Sequence, residues 1–207
     1  MNVFLRADSS LSIGSGHIIR CLNLAKGLEK AGARCSFISK DHPGNILDKI
    51  KQEGFPVQVI TVSDKSSTYI RDEKFWLNGS QSDDAEKFID LIIDSCFYPD
   101  IIIMDHYSLD YEWEAIVKAR FPDVHLVVID DLCNRPHCSD LLIDQTYMRS
   151  AREYAQFNKR EGKVLTGTKY ALLNPAFSQL RNQSIARKTN ITTPKKLLLT
   201  MGGVDAH

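Results

Sequence analysis

The residue in this 207-residue chain best placed for chemistry is a histidine that closes a glycine turn. Val3-Phe4-Leu5 reads as an apolar strand running straight into Arg6-Ala7-Asp8-Ser9-Ser10 and then Gly14-Ser15-Gly16-His17. Glycines at a strand-to-helix turn lack a Cβ and let the backbone come close to a ligand. Behind them Ile18, Ile19, Leu22, Ala25 and Leu28 recur at helical spacing, which puts His17 at or near a helix N-terminus. Unpaired N–H groups and about half a positive charge gather there, attracting anions and disfavouring imidazolium. A neutral imidazole, with an ordinary pKa near ~6.5, has the properties of a general base in such a loop. The competing reading of His17 is a capping or merely buried histidine. Asp8 has two readings, a carboxylate that orients His17 or holds a ligand group, and a simple turn cap.

Two more polar groups follow apolar runs: Asp105-His106-Tyr107 and Asp130-Asp131. Tyr107 offers a phenolic hydroxyl to a ligand or a water, or else packs as an aromatic at a sheet rim. Asp105 reads as a loop anchor and His106 as a satisfied surface histidine. Asp130 and Asp131 with His137 and Asp140 supply oxygen and nitrogen ligands, but at no compact spacing, so caps and loop hydrogen bonds are expected there rather than a metal. Cys133 and Cys138 lack the CxxC spacing of a zinc or redox pair. Ser15-Gly16-His17 is not the G-x-S-x-G elbow of serine hydrolases. Gly14-Ser15-Gly16 lacks the third glycine of the dinucleotide fingerprint.

The elements that must position these groups alternate. Strand-like runs occur at Val3–Leu5, Cys35–Ile38, Val57–Val62, Asp100–Asp105, Val124–Ile129, Leu141–Ile143 and Val164–Leu165. Helical patterns separate them after His17, around Asn45–Glu53, along Ala85, Phe88, Ile89, Ile92 and Ile93, and over Glu112–Phe121. Strands apolar on both faces alternating with helices indicate a parallel sheet covered on both sides, a Rossmann-like α/β domain. Ligands bind at the carboxyl ends of such strands, where Arg6–Ser10, Asp105-His106-Tyr107 and Asp130-Asp131 fall together. From Arg181 to Pro194 the chain turns polar and basic and reads as a helix end and linker. Lys195–Met201 then reads as a new strand followed by Gly202-Gly203-Val204-Asp205. The expected organisation is a domain over 1–180, a linker over 181–194, and over 195–207 the first strand and glycine turn of a second, incomplete α/β domain.

Lys+Arg and Asp+Glu balance at 26 each, so no global field recruits nucleic acid or an anionic membrane. No apolar run approaches the ~20 residues of a membrane helix, and no secretory leader pattern opens the chain. Five scattered cysteines suit a reducing cytoplasm better than a disulfide framework.

Several motifs, taken in order, are similar to one family. They are Arg6-Ala7-Asp8-Ser9-Ser10 with Ile13-Gly14-Ser15-Gly16-His17 and Arg20-Cys21, then Trp76-Leu77 with Asp84-Ala85, then Asp105-His106-Tyr107. Ile129-Asp130-Asp131, Asp144-Gln145, Tyr170-Ala171-Leu172-Leu173 and Met201-Gly202-Gly203-Val204-Asp205 continue the series. The chain resembles the UDP-sugar hydrolases of pseudaminic acid biosynthesis over essentially its whole length. That resemblance implies the N-terminal half of a two-domain GT-B-type architecture, with the second domain holding most nucleotide contacts. It implies water attack at the anomeric carbon with inversion and departure of UDP, needing neither cofactor nor metal. His17 is then the proton acceptor, with Tyr107 and Asp8 as further catalytic candidates. Arg6, Ser9, Gly14, Ser15, Gly16, Asp105, Tyr170 and Leu172 are the expected substrate contacts, and Gly202, Gly203 and Asp205 the diphosphate contacts. A GT-B-type glycosyltransferase and a non-catalytic nucleotide-sugar-binding fragment remain as alternatives.

Overall fold

A computed structural model describes residues 1–66, 68–188, 193 and 196–198. Seven strands form one parallel sheet in the order β3-β2-β1-β4-β5-β6-β7. They are β1 Asn2–Ala7, β2 Arg34–Lys40, β3 Val57–Ile60, β4 Ile101–Asp105, β5 His125–Ile129, β6 Leu141–Asp144 and β7 Lys163–Thr166. The helices are α1 Gly16–Lys30, α2 Leu47–Gln52, α3 Gln81–Asp94, α4 Tyr111–Arg120 and α5 Ala176–Lys188. The expected Rossmann-like α/β fold is present.

The period-two alternation of the strands decides which helix covers which face. Val3, Leu5 and Ala7 of β1 point into a core with Ile18, Cys21, Leu22 and Ala25 of α1 and Ile50 of α2. Phe4 points the other way, with Ile102 and Met104, onto Phe88 and Ile92 of α3 and Trp113 and Val117 of α4. Both faces are apolar because both are covered. Side-chain caps fix the starts of α3 and α4. Ser80 caps α3 by accepting from the Asp83 backbone N–H, and Asp110 caps α4 by accepting from Glu112.

Strand order reverses between β1 and β4, which opens the crevice where such sheets bind ligands. The register pairs Ala7 with Asp105 there, so Asp8 and His106 emerge side by side from adjacent strands. Residues 181–188, read from composition as helix end and linker, are the second half of α5. None of the residues of α5 is buried, and Phe177, Leu180 and Ile185 lie exposed on it. The expected strand and glycine turn fall almost wholly outside the described residues, including Gly202, Gly203 and Asp205.

Candidate functional site

The first turn of α1 sits at this crevice and presents His17, Arg20 and Cys21, spaced three and four apart and therefore on one helical face. That face packs on the end of β4. Arg20 Nε and Nη2 each donate to Asp105 at 2.6 Å, and Cys21 Sγ lies 3.5 Å from the same carboxylate. The third guanidinium nitrogen, Nη1, donates to Asp131 at 2.7 Å. Asp131 also accepts the Tyr107 hydroxyl at 2.5 Å. One arginine thus ties the end of β4 to the loop after β5.

His17 is 4% exposed. Its Nε2 faces Asp105 at 3.8 Å, and its Nδ1 is buried without a hydrogen-bond partner. Tyr107 meets the imidazole edge to face, with ring centroids 4.5 Å apart, and Trp76 stacks on the far side of Tyr107 at 5.9 Å. Burial lowers the His17 pKa to about 4; Arg20 and His106 add to the fall, and Asp105 and Asp131 oppose it. The imidazole is neutral at physiological pH, as expected for a base at a helix N-terminus. Burial tends to raise the Asp105 carboxyl, but Arg20 and His17 outweigh it and hold it below the usual carboxylate range. Burial and the adjacent Asp131 push the Tyr107 phenol above its ordinary value. Tyr107 therefore keeps its proton, donates it in a hydrogen bond to Asp131, and turns an accepting oxygen to other partners.

Beside His17 lies an open cavity of about 580 Å³ lined by Ser15, Gly16, Arg20, Asn23, Tyr107 and Leu172, among others. That volume is in the range of small-molecule sites. Leu172 is fixed at its edge, donating its N–H to Gln145 at 3.0 Å and accepting from Asn23 at 3.0 Å. Gly14, at φ 75°, closes the preceding turn by donating to Ser10 at 2.9 Å. Its left-handed backbone is the conformation that favours glycine.

Four sequence-based expectations are corrected by burial. Asp8 is fully buried and does not orient His17; Arg6 donates to both its oxygens at 2.5 and 2.9 Å, and the Lys40 N–H donates at 2.7 Å. Arg6 is saturated in turn by Asp84, at 3.0 and 2.7 Å, and is no ligand contact. Ser9 is fully buried and accepts from the Ile46 N–H. His106 is not a surface residue but fully buried, its Nε2 3.3 Å from Asp8. These polar residues lie inward because each opposite charge supplies the other's solvation; desolvating any one alone would cost several kcal/mol. Asp105 is likewise buried beneath His17 rather than open to a ligand, and Tyr170 is half-buried outside the cavity lining. Sequence reasoning put Asp131 at the cleft but missed Arg20 and its pairing with Asp131; the His17-x-x-Arg20 spacing at a helix start was the available signal.

Asp130 has the expected structural use, accepting from the backbone N–H groups of Leu132 and Cys133 and pairing with Arg135 at 2.8 Å. Among the described residues no group of three or more His, Cys, Asp or Glu is placed to hold a metal ion. None of the described helices is long and apolar enough to cross a membrane.

No family model matches the chain. It is 26% identical over 205 residues to the UDP-2,4-diacetamido-2,4,6-trideoxy-beta-L-altropyranose hydrolase of Campylobacter jejuni, with 99% of this chain and 61% of that protein aligned. It is 23% identical to an uncharacterised protein of Methanocaldococcus jannaschii, covering 99% of this chain and 37% of that one. Among solved structures, Acinetobacter baumannii MurG superposes with a TM-score of 0.48 at 13% identity, covering 79% of this chain and 44% of that one. The chain thus spans about three fifths of the length of its Campylobacter relative. The resemblance read from the motifs is borne out: a distant relative of this chain is a UDP-sugar hydrolase.

Proposed function

We propose that residues 1–180 form the catalytic module of a nucleotide-sugar hydrolase. It cleaves the anomeric C–O bond of UDP-2,4-diacetamido-2,4,6-trideoxy-β-L-altropyranose, with inversion. The observation that carries this reading is His17, a neutral imidazole at the start of α1 beside the cavity at the strand-order reversal. In the reaction His17 takes a proton from a water molecule whose oxygen attacks the anomeric carbon. The bond to the diphosphate oxygen breaks with its electron pair on UDP, and the sugar leaves with inverted configuration. UDP is a good leaving group, so no dedicated acid is required. As charge shifts to His17, Asp105 at 3.8 Å stabilises the imidazolium that forms.

Tyr107 holds the water or a sugar N–H or O–H through its accepting oxygen. The backbone N–H groups of Ser15 and Gly16 at the helix start receive diphosphate oxygens, while the Gly14 N–H stays committed to Ser10. Gly202, Gly203 and Asp205, which lie outside the described residues, are the further diphosphate contacts of this reading, and Leu172 borders the sugar. The reaction takes place in the cytoplasm, with water as the second substrate, and uses no cofactor.

The test is UDP release from that nucleotide sugar, measured for residues 1–207 and for a chain extended to the relative's length. Release of free sugar in plain buffer supports the hydrolase. Turnover only when a second carbohydrate is added overturns it in favour of a glycosyltransferase. Binding without turnover by a folded, extended chain reduces the protein to a nucleotide-sugar binder.

A further inference from the structure

Asp105 lies between a permanent cation, Arg20, and a neutral base, His17, and is committed to the first. Arg20 occupies both its oxygens at 2.6 Å, whereas His17 Nε2 stands at 3.8 Å, beyond hydrogen-bond reach. Arg20 is itself anchored at the other end of its fork by Asp131 at 2.7 Å, and Asp131 is held by Tyr107. The groups facing His17 are therefore Asp105 from β4, Arg20 from its own helix, His106 and Tyr107 from the loop after β4, and Asp131 from the loop after β5. A carboxylate freed at this distance draws a proton onto an imidazole, as opposite charges within ~4–6 Å favour the charged form. An imidazole already protonated at neutral pH cannot act as a base.

We propose that Arg20 is a positioning residue that sequesters Asp105 from His17, so that the imidazole beside the cavity begins each turnover neutral and able to accept a proton. The catalytic consequence rests on the hydrolase reading above; the sequestration is a property of the free chain. A planar five-donor fork suits the task, since it binds both oxygens of Asp105 at the end of β4 and reaches Asp131 in the loop after β5 at once.

The experiment is an NMR titration of the histidine ring protons between pH 3 and 8, with His17 assigned by its loss in His17→Asn. Wild-type His17 titrates only near the acid end of this range. In Arg20→Gln its titration midpoint rises by about 1 to 3 on the pH scale. In the double variant Arg20→Gln/Asp105→Asn the rise disappears, because the freed carboxylate is gone. An unchanged midpoint in Arg20→Gln, or an equal rise in the double variant, overturns the proposal. Arg20→Lys, which keeps the charge, covers the case in which Arg20→Gln does not fold. It gives a smaller rise of the same sign, and no rise there overturns the proposal too. Where UDP-sugar is turned over, the acid limb of the kcat–pH profile moves with the midpoint. If the midpoints shift as stated but no variant or wild type turns over substrate, the hydrolase reading alone fails.

Discussion

Replacing His17 by Asn should make the protein less sensitive to mild acid. A histidine whose pKa is lowered by folding binds fewer protons native than unfolded, so stability falls as pH drops from its unfolded value through its folded one. For His17 that window runs from about 6.5 down to about 4. At pH 5 about thirty unfolded molecules carry the proton for each that does not, while the buried ring stays mostly neutral. That ratio corresponds to about 2 kcal/mol of lost stability, against a few tenths at pH 7. The assay is urea denaturation of wild type and His17→Asn at pH 7 and pH 5. The packing cost of the substitution is common to both conditions and cancels in the comparison. Wild type should lose about 2 kcal/mol more than the variant between the two. His106, also lowered by burial, contributes in the same direction to both proteins and leaves a residual slope. Equal losses in wild type and variant would refute the account of His17 as a desolvated neutral base.

Three other outcomes are expected. Tyr107→Phe keeps the fold but lowers kcat for the UDP-sugar about 10- to 100-fold, the worth of one hydrogen bond to a charged network; unchanged kcat would reduce Tyr107 to packing. Asp84→Ala leaves Arg6 with Asp8 alone, deprives the buried Lys40 ammonium of its carboxylate, and leaves the Trp113 indole N–H, now 2.9 Å from Asp84, without that acceptor. It should cost about 3–5 kcal/mol in urea unfolding, and a loss below about 1 kcal/mol would count against the buried charge network. His137 contacts Glu114 at 2.5 Å and lies 3.7 Å from Asp130; burial lowers its pKa, but those two carboxylates outweigh it and the net shift is upward. Its stabilisation is complete below its unfolded pKa of about 6.5 and is lost as pH rises through the raised native value. Melting temperature should therefore fall on the alkaline side in wild type and less steeply in His137→Gln.

The chain's pattern by itself determined the fold class, because period-two and helical periodicities alternate and the strands are apolar on both faces. Val3-Phe4-Leu5 and the Asp100–Asp105 run read as buried strands, and the glycine turn before His17 as the opening of a helix; only the strand order puts both at the centre of the sheet. The pattern also placed His17, since a helix start is a local property of a dozen residues. What it left open was which polar residues meet. Asp8 and Asp105 both follow a strand and look equivalent in sequence; the Ala7–Asp105 register and the packing of α1 decided that Asp8 joins Arg6 while Asp105 lies beneath His17. Strand ends near Val62 and helix ends past Arg181 were blurred for the same reason, as termination depends on neighbours rather than on composition. Arg20 and Asp131 are 111 positions apart, and no periodicity reports a contact of that range. Charge pairing across a switch point is set by strand order, which arises only when non-local strands pair; local patterning fixes the elements, and tertiary packing chooses their partners.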